Sequence, residues 1–221
     1  AESDRPWNDL RDKITNVVIG EGVTTIGERA FSYFSNVTEF IIPEGVETIS
    51  YYAFANCKNL TSIYLSSTVT SFVWYHIFED DSLKEIIISE DNERLTSVDG
   101  IVYNKDITHL IISPAGYDKS EILKIPETVD TIESLSLSHC HGLKEIIIGK
   151  NVKNYSVPSD CINLEKVTVD EENAKFTSID GIVYSKDLTE LVHCPPKNIS
   201  GEFIIPDGTQ SIGIYSVGGC K

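Results

Sequence analysis

The 221-residue sequence has no methionine, two tryptophans, eight prolines and five cysteines, and 18 Lys and Arg stand against 34 Asp and Glu, a formal charge of −16. The shortage of cations argues against nucleic acid as a partner, because displacing counterions from phosphates needs a basic face. An acidic chain is also repelled by anionic lipid surfaces. Uninterrupted apolar runs are only a few residues long, as in Val17-Val18-Ile19, Ile86-Ile87-Ile88 and Ile146-Ile147-Ile148. A membrane-spanning helix needs ~20 such residues, so no direct membrane insertion is expected. Cys57, Cys140, Cys161, Cys194 and Cys220 are odd in number and include no Cys-x-x-Cys pair. That disfavours a zinc site and a disulfide framework, and most are expected to be free thiols. Methionine is missing even at position 1 and no basic-then-apolar leader follows, so the numbering is expected to start after processing or inside a longer precursor.

What the sequence does contain is a repeat. Ile19, Ile42, Leu65 and Ile88 are spaced by 23 residues, as are Val37, Leu60 and Leu83, and Val23, Val46 and Val69. Phe31, Phe54 and Ile77 keep the same interval, and Ala30 matches Ala53. The unit returns at Ile125, Ile148, Val169 and Ile205, so successive intervals read 23, 23, 23, 37, 23, 21 and 36. Within one unit, Leu60-x-x-Ile63-x-Leu65 has the period-2 pattern of a strand and Val69-x-x-Phe72 is a second short inward stretch. Pro43, Pro126 and Pro206 stop the strand, since proline cannot donate to a ladder. Gly27 to Phe31 and Ser50 to Phe54 suggest a single helical or 3₁₀ turn in which Ala leaves room for the next coil and Phe plugs the core. One 23-residue unit cannot close a core alone, whereas stacked units bury each other's open faces.

The two long intervals share a duplicated passage, Thr96-Ser97-Val98-Asp99-Gly100-Ile101-Val102-Tyr103 and Thr177-Ser178-Ile179-Asp180-Gly181-Ile182-Val183-Tyr184. Each continues through Lys105-Asp106 or Lys186-Asp187 into a second apolar run and closes at Pro114 or Pro195. Two apolar runs around a short polar turn predict a β-hairpin inserted over about 96–114 and 177–195.

The unit Val46-Glu47-Thr48-Ile49-x-x-x-Ala53-Phe54-x-x-Cys57-x-x-Leu60-x-x-Ile63, with Pro43 before it, resembles the BspA-type, or treponemal-type, leucine-rich repeat. Pro6-Trp7 through Ile14 resembles the lead-in of such arrays. The resemblance covers residues 17 to 221. It implies a β-rich α/β fold: a right-handed leucine-rich repeat solenoid with a parallel sheet, short helical or 3₁₀ turns and two hairpin insertions. Residues 1–16 are expected as an amino-terminal cap and 17–221 as about seven and a half coils, the last incomplete, so that the chain reads as a piece of a longer protein or meets another copy at its open end. The resemblance also implies a secreted or surface-attached protein concerned with adhesion and binding of host proteins, with no catalytic residues and no cofactor to carry over. Trp74-Tyr75-His76-Ile77 and the shortened unit at Val157-Pro158-Ser159 depart from the repeat.

No nucleophile elbow, phosphate loop, zinc-protease helix or dinucleotide fingerprint occurs, so an enzyme is not expected. His139-Cys140-His141 invites a metal reading, which extended neighbours on alternating faces do not favour. Glu79-Asp80-Asp81, Glu90-Asp91-Asn92-Glu93 and Asp170-Glu171-Glu172-Asn173 lack the spacing and turn glycine of a calcium loop and read as a solvated acidic edge. Cys57, Cys140, Cys161 and Cys220 share the repeat's cysteine position, a tight apolar corner, while Cys194 falls outside it as a candidate exposed thiol. Asn36, Asn59, Asn154 and Asn198 head Asn-x-Ser/Thr sequons, relevant to a secreted eukaryotic protein only.

Two surfaces remain as candidates for partner binding. Val18, Ile41, Tyr64, Ile87, Ile147 and Thr168 alternate with the inward pair of each strand and would form one outward stripe, either an interface or ordinary β-branched strand filler. Tyr51-Tyr52 and Trp74-Tyr75 lie one period apart beside the core aromatic and offer flat faces suited to protein or glycan. The expected function is a secreted or surface-displayed module that binds a host or neighbouring-cell surface protein, with a structural spacer for another domain or a carbohydrate-binding module as alternatives.

Overall fold

The computed structural model describes residues 6–72, 82–199 and 203–218. The chain divides into two compact units, Ala1–Lys105 with Pro114–Gly116, and Asp106–Ser113 with Tyr117–Lys221. The corner at Trp74 and Tyr75, the Glu79 cluster and Cys220 lie outside the described residues.

The first unit carries β1 (Thr25–Ile26), β2 (Glu39–Ile42), β3 (Thr48–Ile49), β4 (Ser62–Leu65), β5 (Ser71–Phe72), β6 (Glu85–Ile88), β7 (Leu95–Val98) and β8 (Ile101–Asn104). β2, β4 and β6 form a parallel sheet in which Ile42, Leu65 and Ile88 are directly opposite one another. β1, β3 and β5 form a second parallel sheet with Ile26 opposite Ile49. Every partner is 23 residues away, so the sequence period is the stacking period. The alternation fixes the faces: in β2, Phe40 and Ile42 are buried while Glu39 and Ile41 are exposed. Val37, Leu60 and Leu83, and Val46 and Val69, complete buried rows. The rings of Phe31 and Phe54 stack at 5.8 Å between centroids, and Phe40 lies 4.7 Å from Phe54.

The expected row of four begins one coil late. Ile42, Leu65 and Ile88 are in register, but Ile19 belongs to no strand and is only half buried. Ile19 instead lines an apolar pocket of about 510 Å³ with Trp7, Ile14, Val17, Phe31 and Phe34. Trp7 Nε1 donates to the carbonyl of Ala30 at 3.3 Å, tying the lead-in to the first coil.

The corner at Ala-Phe is also not the expected helical turn. Among the described residues the one helical element is a 3₁₀ turn at Asn8–Leu10. At the corner, Ala30, Ser32 and Phe34 donate within their own coil to Gly27, Arg29 and Phe31, while Arg29, Phe31 and Tyr33 donate to Tyr51, Ala53 and Ala55 of the next. Arg29, Tyr33, Tyr52 and Asn56 hold this path with φ of 53°, 67°, 57° and 62°. A left-handed residue ends a helix at once, and here it turns alternate N–H groups outward to the neighbouring coil.

The second unit repeats the plan with β9 (His109–Ile112), β10 (Ile122–Lys124), β11 (Thr131–Ile132), β12 (Glu145–Ile148), β13 (Asn154–Tyr155), β14 (Lys166–Val169), β15 (Phe176–Ile179), β16 (Ile182–Ser185), β17 (Glu190–His193) and β18 (Ser211–Ile212). β10, β12 and β14 are parallel, as are β9, β11 and β13. The step from β12 to β14 is 21 residues, and Ile146↔Val167 and Ile148↔Val169 keep the register through the shortened unit.

Each insertion opens with a hairpin one turn earlier than the expected one. β7 pairs antiparallel with β8, and β15 with β16, around Asp99-Gly100 and Asp180-Gly181. Both turn residues have positive φ, 53° and 85° in the first and 51° and 82° in the second, the geometry that matches strand twist in a two-residue turn. In the second unit β16 then pairs antiparallel with β17 across the Lys186-Asp187 turn that the sequence pointed to. A buried asparagine anchors each insertion. The Asn92 amide nitrogen donates to the carbonyls of Ser66 and Val69, and its oxygen accepts from Arg94 and Leu95. Asn173 makes the same four bonds to Gly149, Val152, Lys175 and Phe176.

Candidate functional site

The outward positions of β2, β4 and β6 bring Ile41, Tyr64 and Ile87 directly opposite one another. Ile41 is 58% exposed, Ile87 is 41% exposed and Tyr64 is half buried between them. Neighbouring strands are ~4.8 Å apart, so the three side chains make a contiguous apolar ridge. Glu39 and Glu85 stand at the start of the flanking strands, with Ser62 between them. The ridge is thus an aromatic flanked by two aliphatics, edged by carboxylates.

The stripe does not extend as one row through the other expected positions. Val18 is 85% exposed but lies in a segment without strand pairing. Ile147 and Thr168 stand opposite each other in the second unit, where Lys124 is the third member. That face is polar: Thr168 Oγ1 donates to Glu145 at 2.7 Å, and Lys166 Nζ approaches the same carboxylate at 3.0 Å. Ile147 is half buried between Lys124 and Thr168.

On the corner side of the first unit, Tyr51 is 44% exposed. Tyr52 is half buried, with the Arg29 guanidinium 5.1 Å above its ring. Exposed Tyr33 has Arg11 over its ring at 5.6 Å. Reading the sequence missed Tyr33 and both arginines. The signal available was positional, since Tyr33 precedes Phe34 where Asn56 precedes Cys57, the left-handed place in each coil.

The metal and thiol candidates resolve differently. The rings of His139 and His141 are 6.1 Å apart and Asp160 lies 3.9 Å from His139, but Cys140 between them is buried on the opposite side. Among the described residues, no three His, Cys, Asp or Glu side chains converge to hold a metal ion. The acidic cluster at Glu90 contributes its buried Asn92 to the hairpin anchor, and the one at Asp170 contributes Asn173, while Glu172 pairs with Lys150 at 2.8 Å. Cys194, expected as an exposed thiol, is fully buried against Ile182, Tyr184 and Leu191, because the inserted hairpin folds over it. The sequon amides of Asn59 and Asn198 donate to the carbonyls of Ser35 and Glu165, and that of Asn36 to Asp12. Asn154 donates to the Thr131 hydroxyl.

One polar pair in the second unit has no counterpart in the sequence reading. Tyr155 and His193 are joined at 2.7 Å between Oη and Nδ1, and His193 is buried. Burial lowers the His193 pKa to about 4 and raises that of Tyr155. In the duplicated passage His193 occupies the place of Ile112, a substitution visible in the sequence. At the surface, Glu44 accepts from the backbone and hydroxyl of Ser67 across one coil step, and these bonds lower its pKa.

The profile of the BspA type leucine rich repeat region matches residues 10–117 and 115–200, in six copies. No match was found among curated proteins. Among solved structures, the pneumococcal vaccine antigen PcpA is 24% identical with a TM-score of 0.64, over 89% of this chain and 46% of that one. A leucine rich cell surface protein from Faecalibacterium prausnitzii is 21% identical with a TM-score of 0.53, over 90% of this chain and 61% of that one. The chain therefore spans about half the length of PcpA, and at these identities the likeness is one of fold. With the profile covering most of the sequence and both units built from parallel coils in the repeat's own register, the chain belongs to the BspA type leucine rich repeat family.

Proposed function

We propose that this chain is a non-catalytic, protein-binding part of a secreted or cell-surface protein, and that the Ile41–Tyr64–Ile87 ridge is its contact surface. The observation that carries the reading is the ridge itself. An aromatic ring between two exposed aliphatic side chains on a rigid sheet is the composition of an interface centre, where Tyr anchors dominate binding energy. The carboxylates of Glu39 and Glu85 and the formal charge of −16 favour a partner whose apolar patch is ringed by Lys or Arg. The family and the Faecalibacterium neighbour, named as a cell surface protein, support display outside the cell. Among the described residues no helix is long and apolar enough to cross a membrane.

The test is adhesion of cells displaying the parent protein with and without residues 17–221. Loss of adhesion to epithelial monolayers on deletion supports the reading. Unchanged adhesion overturns it in favour of a spacer. A glycan-array signal abolished by Trp74→Ala would instead make the chain a carbohydrate-binding module.

A further inference from the structure

The cysteine corner of the second unit holds two thiols in successive coils. Cys140 and Cys161 are both buried, and the coils that carry them are fastened on either side. His139 N–H donates to the carbonyl of Ser159 at 2.9 Å before the cysteines, and Glu165 N–H donates to that of Lys144 at 2.9 Å after them. The two residues therefore occupy one repeat position on hydrogen-bonded neighbours. Leu143 donates to the carbonyl of Cys140, and Leu164 donates in the same way to that of Cys161. Coils at ladder spacing place such Cα atoms ~4.8 Å apart, inside the ~4.4–6.8 Å range that a disulfide spans. The Cys161 thiol donates to the carbonyl of Leu137 at 2.8 Å and the Cys140 thiol to that of Ser138 at 3.7 Å.

No other described cysteine has this arrangement. One period before Cys57 stands Phe34, and one period after it the sequence has Asp80. Cys194 N–H donates to Ser216, a coil partner without a thiol.

We propose that Cys140 and Cys161 are a disulfide site, closed while the chain folds in an oxidising compartment by a disulfide-bearing oxidant such as a thiol–disulfide oxidoreductase or glutathione disulfide. The Cys140 thiolate attacks one sulfur of the oxidant, forming a mixed disulfide and releasing the first thiolate. The Cys161 thiolate then attacks the Cys140 sulfur and expels the second. Two cysteine thiols lose two electrons and two protons, and the oxidant's S–S bond becomes two thiols. The bond ties one coil to the next at the shortened unit, where the 21-residue step breaks the even spacing. It does not depend on the Ile41 ridge binding anything.

In the folded chain neither sulfur meets solvent, and the neighbouring Cys140 thiol, followed by burial, raises the Cys161 pKa. Closure therefore belongs to folding and not to the finished protein. The test unfolds the full chain in denaturant with reductant, refolds it in a reduced and oxidised glutathione couple, then denatures it with iodoacetamide and maps it by mass spectrometry. The expected result is a Cys140–Cys161 linked peptide, with Cys57 and Cys194 alkylated, and a higher melting temperature than that of the reduced chain. Native chain given the same couple should keep all its thiols. The Cys57→Ser, Cys194→Ser and Cys220→Ser triple variant should still form the link. Alkylation of both Cys140 and Cys161 after refolding, pairing of either with another cysteine, or a lower melting temperature for the linked chain would each overturn the proposal.

Discussion

Tyr155 Oη lies 2.7 Å from His193 Nδ1, although 38 residues separate the two in the chain. β13 brings the tyrosine and β17 the histidine, and the Tyr155 ring also meets Phe176 edge-on at 6.2 Å. The inserted strands thus reach back to the coil before them through a polar contact to a buried histidine.

That contact predicts how stability depends on pH. His193 titrates near 4 in the folded chain against an ordinary 6.5, so the unfolded chain takes up its proton first as pH falls. Its contribution is complete above pH 6.5 and is lost progressively down to about pH 4, a total on the order of 3 kcal/mol. Urea unfolding at pH 7 and pH 4 should show this loss on top of the carboxylate contribution. His193→Ile, which installs the residue of the equivalent position in the other insertion, should reduce the pH dependence in that window while lowering stability at pH 7 by about 1–2 kcal/mol through the orphaned Tyr155 hydroxyl. An unchanged pH profile in the variant would show that His193 is not buried in its neutral form.

Asn92 and Asn173, both fully buried, each satisfy four backbone groups. Asn92→Ala and Asn173→Ala should each destabilise the chain by about 2–4 kcal/mol, and by similar amounts, since the two brackets are copies. Denaturant midpoints compare them directly. A loss under 0.5 kcal/mol in either, on the order of a surface change, would mean that the hairpins are anchored elsewhere.

Three glycines with positive φ separate backbone strain from crowding. A Cβ at Gly100 would sit 2.7 Å from Glu85 Cβ, and one at Gly181 2.5 Å from Lys166 Cβ, whereas Gly208 has open space around it. Gly100→Ala and Gly181→Ala should destabilise by more than about 2 kcal/mol, Gly208→Ala by about 1 kcal/mol, the left-handed penalty alone. Equal midpoints for the three variants would contradict the close approach of turn and strand.

Much of this was legible in the sequence because the stacking period is a covalent distance. Ile42, Leu65 and Ile88, Val37, Leu60 and Leu83, and the Asp-Gly turns all stand where 23-residue spacing and turn chemistry put them. The corners were not legible. A Gly-Glu-Arg-Ala-Phe run is compatible with a helical turn, and only the neighbouring coil's carbonyls make the left-handed path at Arg29 favourable. Ile19 shares the period but lies in no strand among the described residues and is half buried, so periodicity overstated its burial. The outward stripe was read as one row because outward positions all look alike in sequence. In the folded chain, Lys124 and the Glu145 bonds make the second unit's face polar and leave the apolar ridge in the first.

The most direct measurement of the binding role is a titration of fluorescently labelled chain onto epithelial monolayers, comparing the native sequence with Tyr64→Ala and with Ile41→Ser combined with Ile87→Ser. These side chains point outward, so the variants should unfold at nearly the native denaturant midpoint while affinity falls at least tenfold, about 1.4 kcal/mol. Saturable binding with the same affinity in all three folded proteins would contradict the ridge as the contact surface.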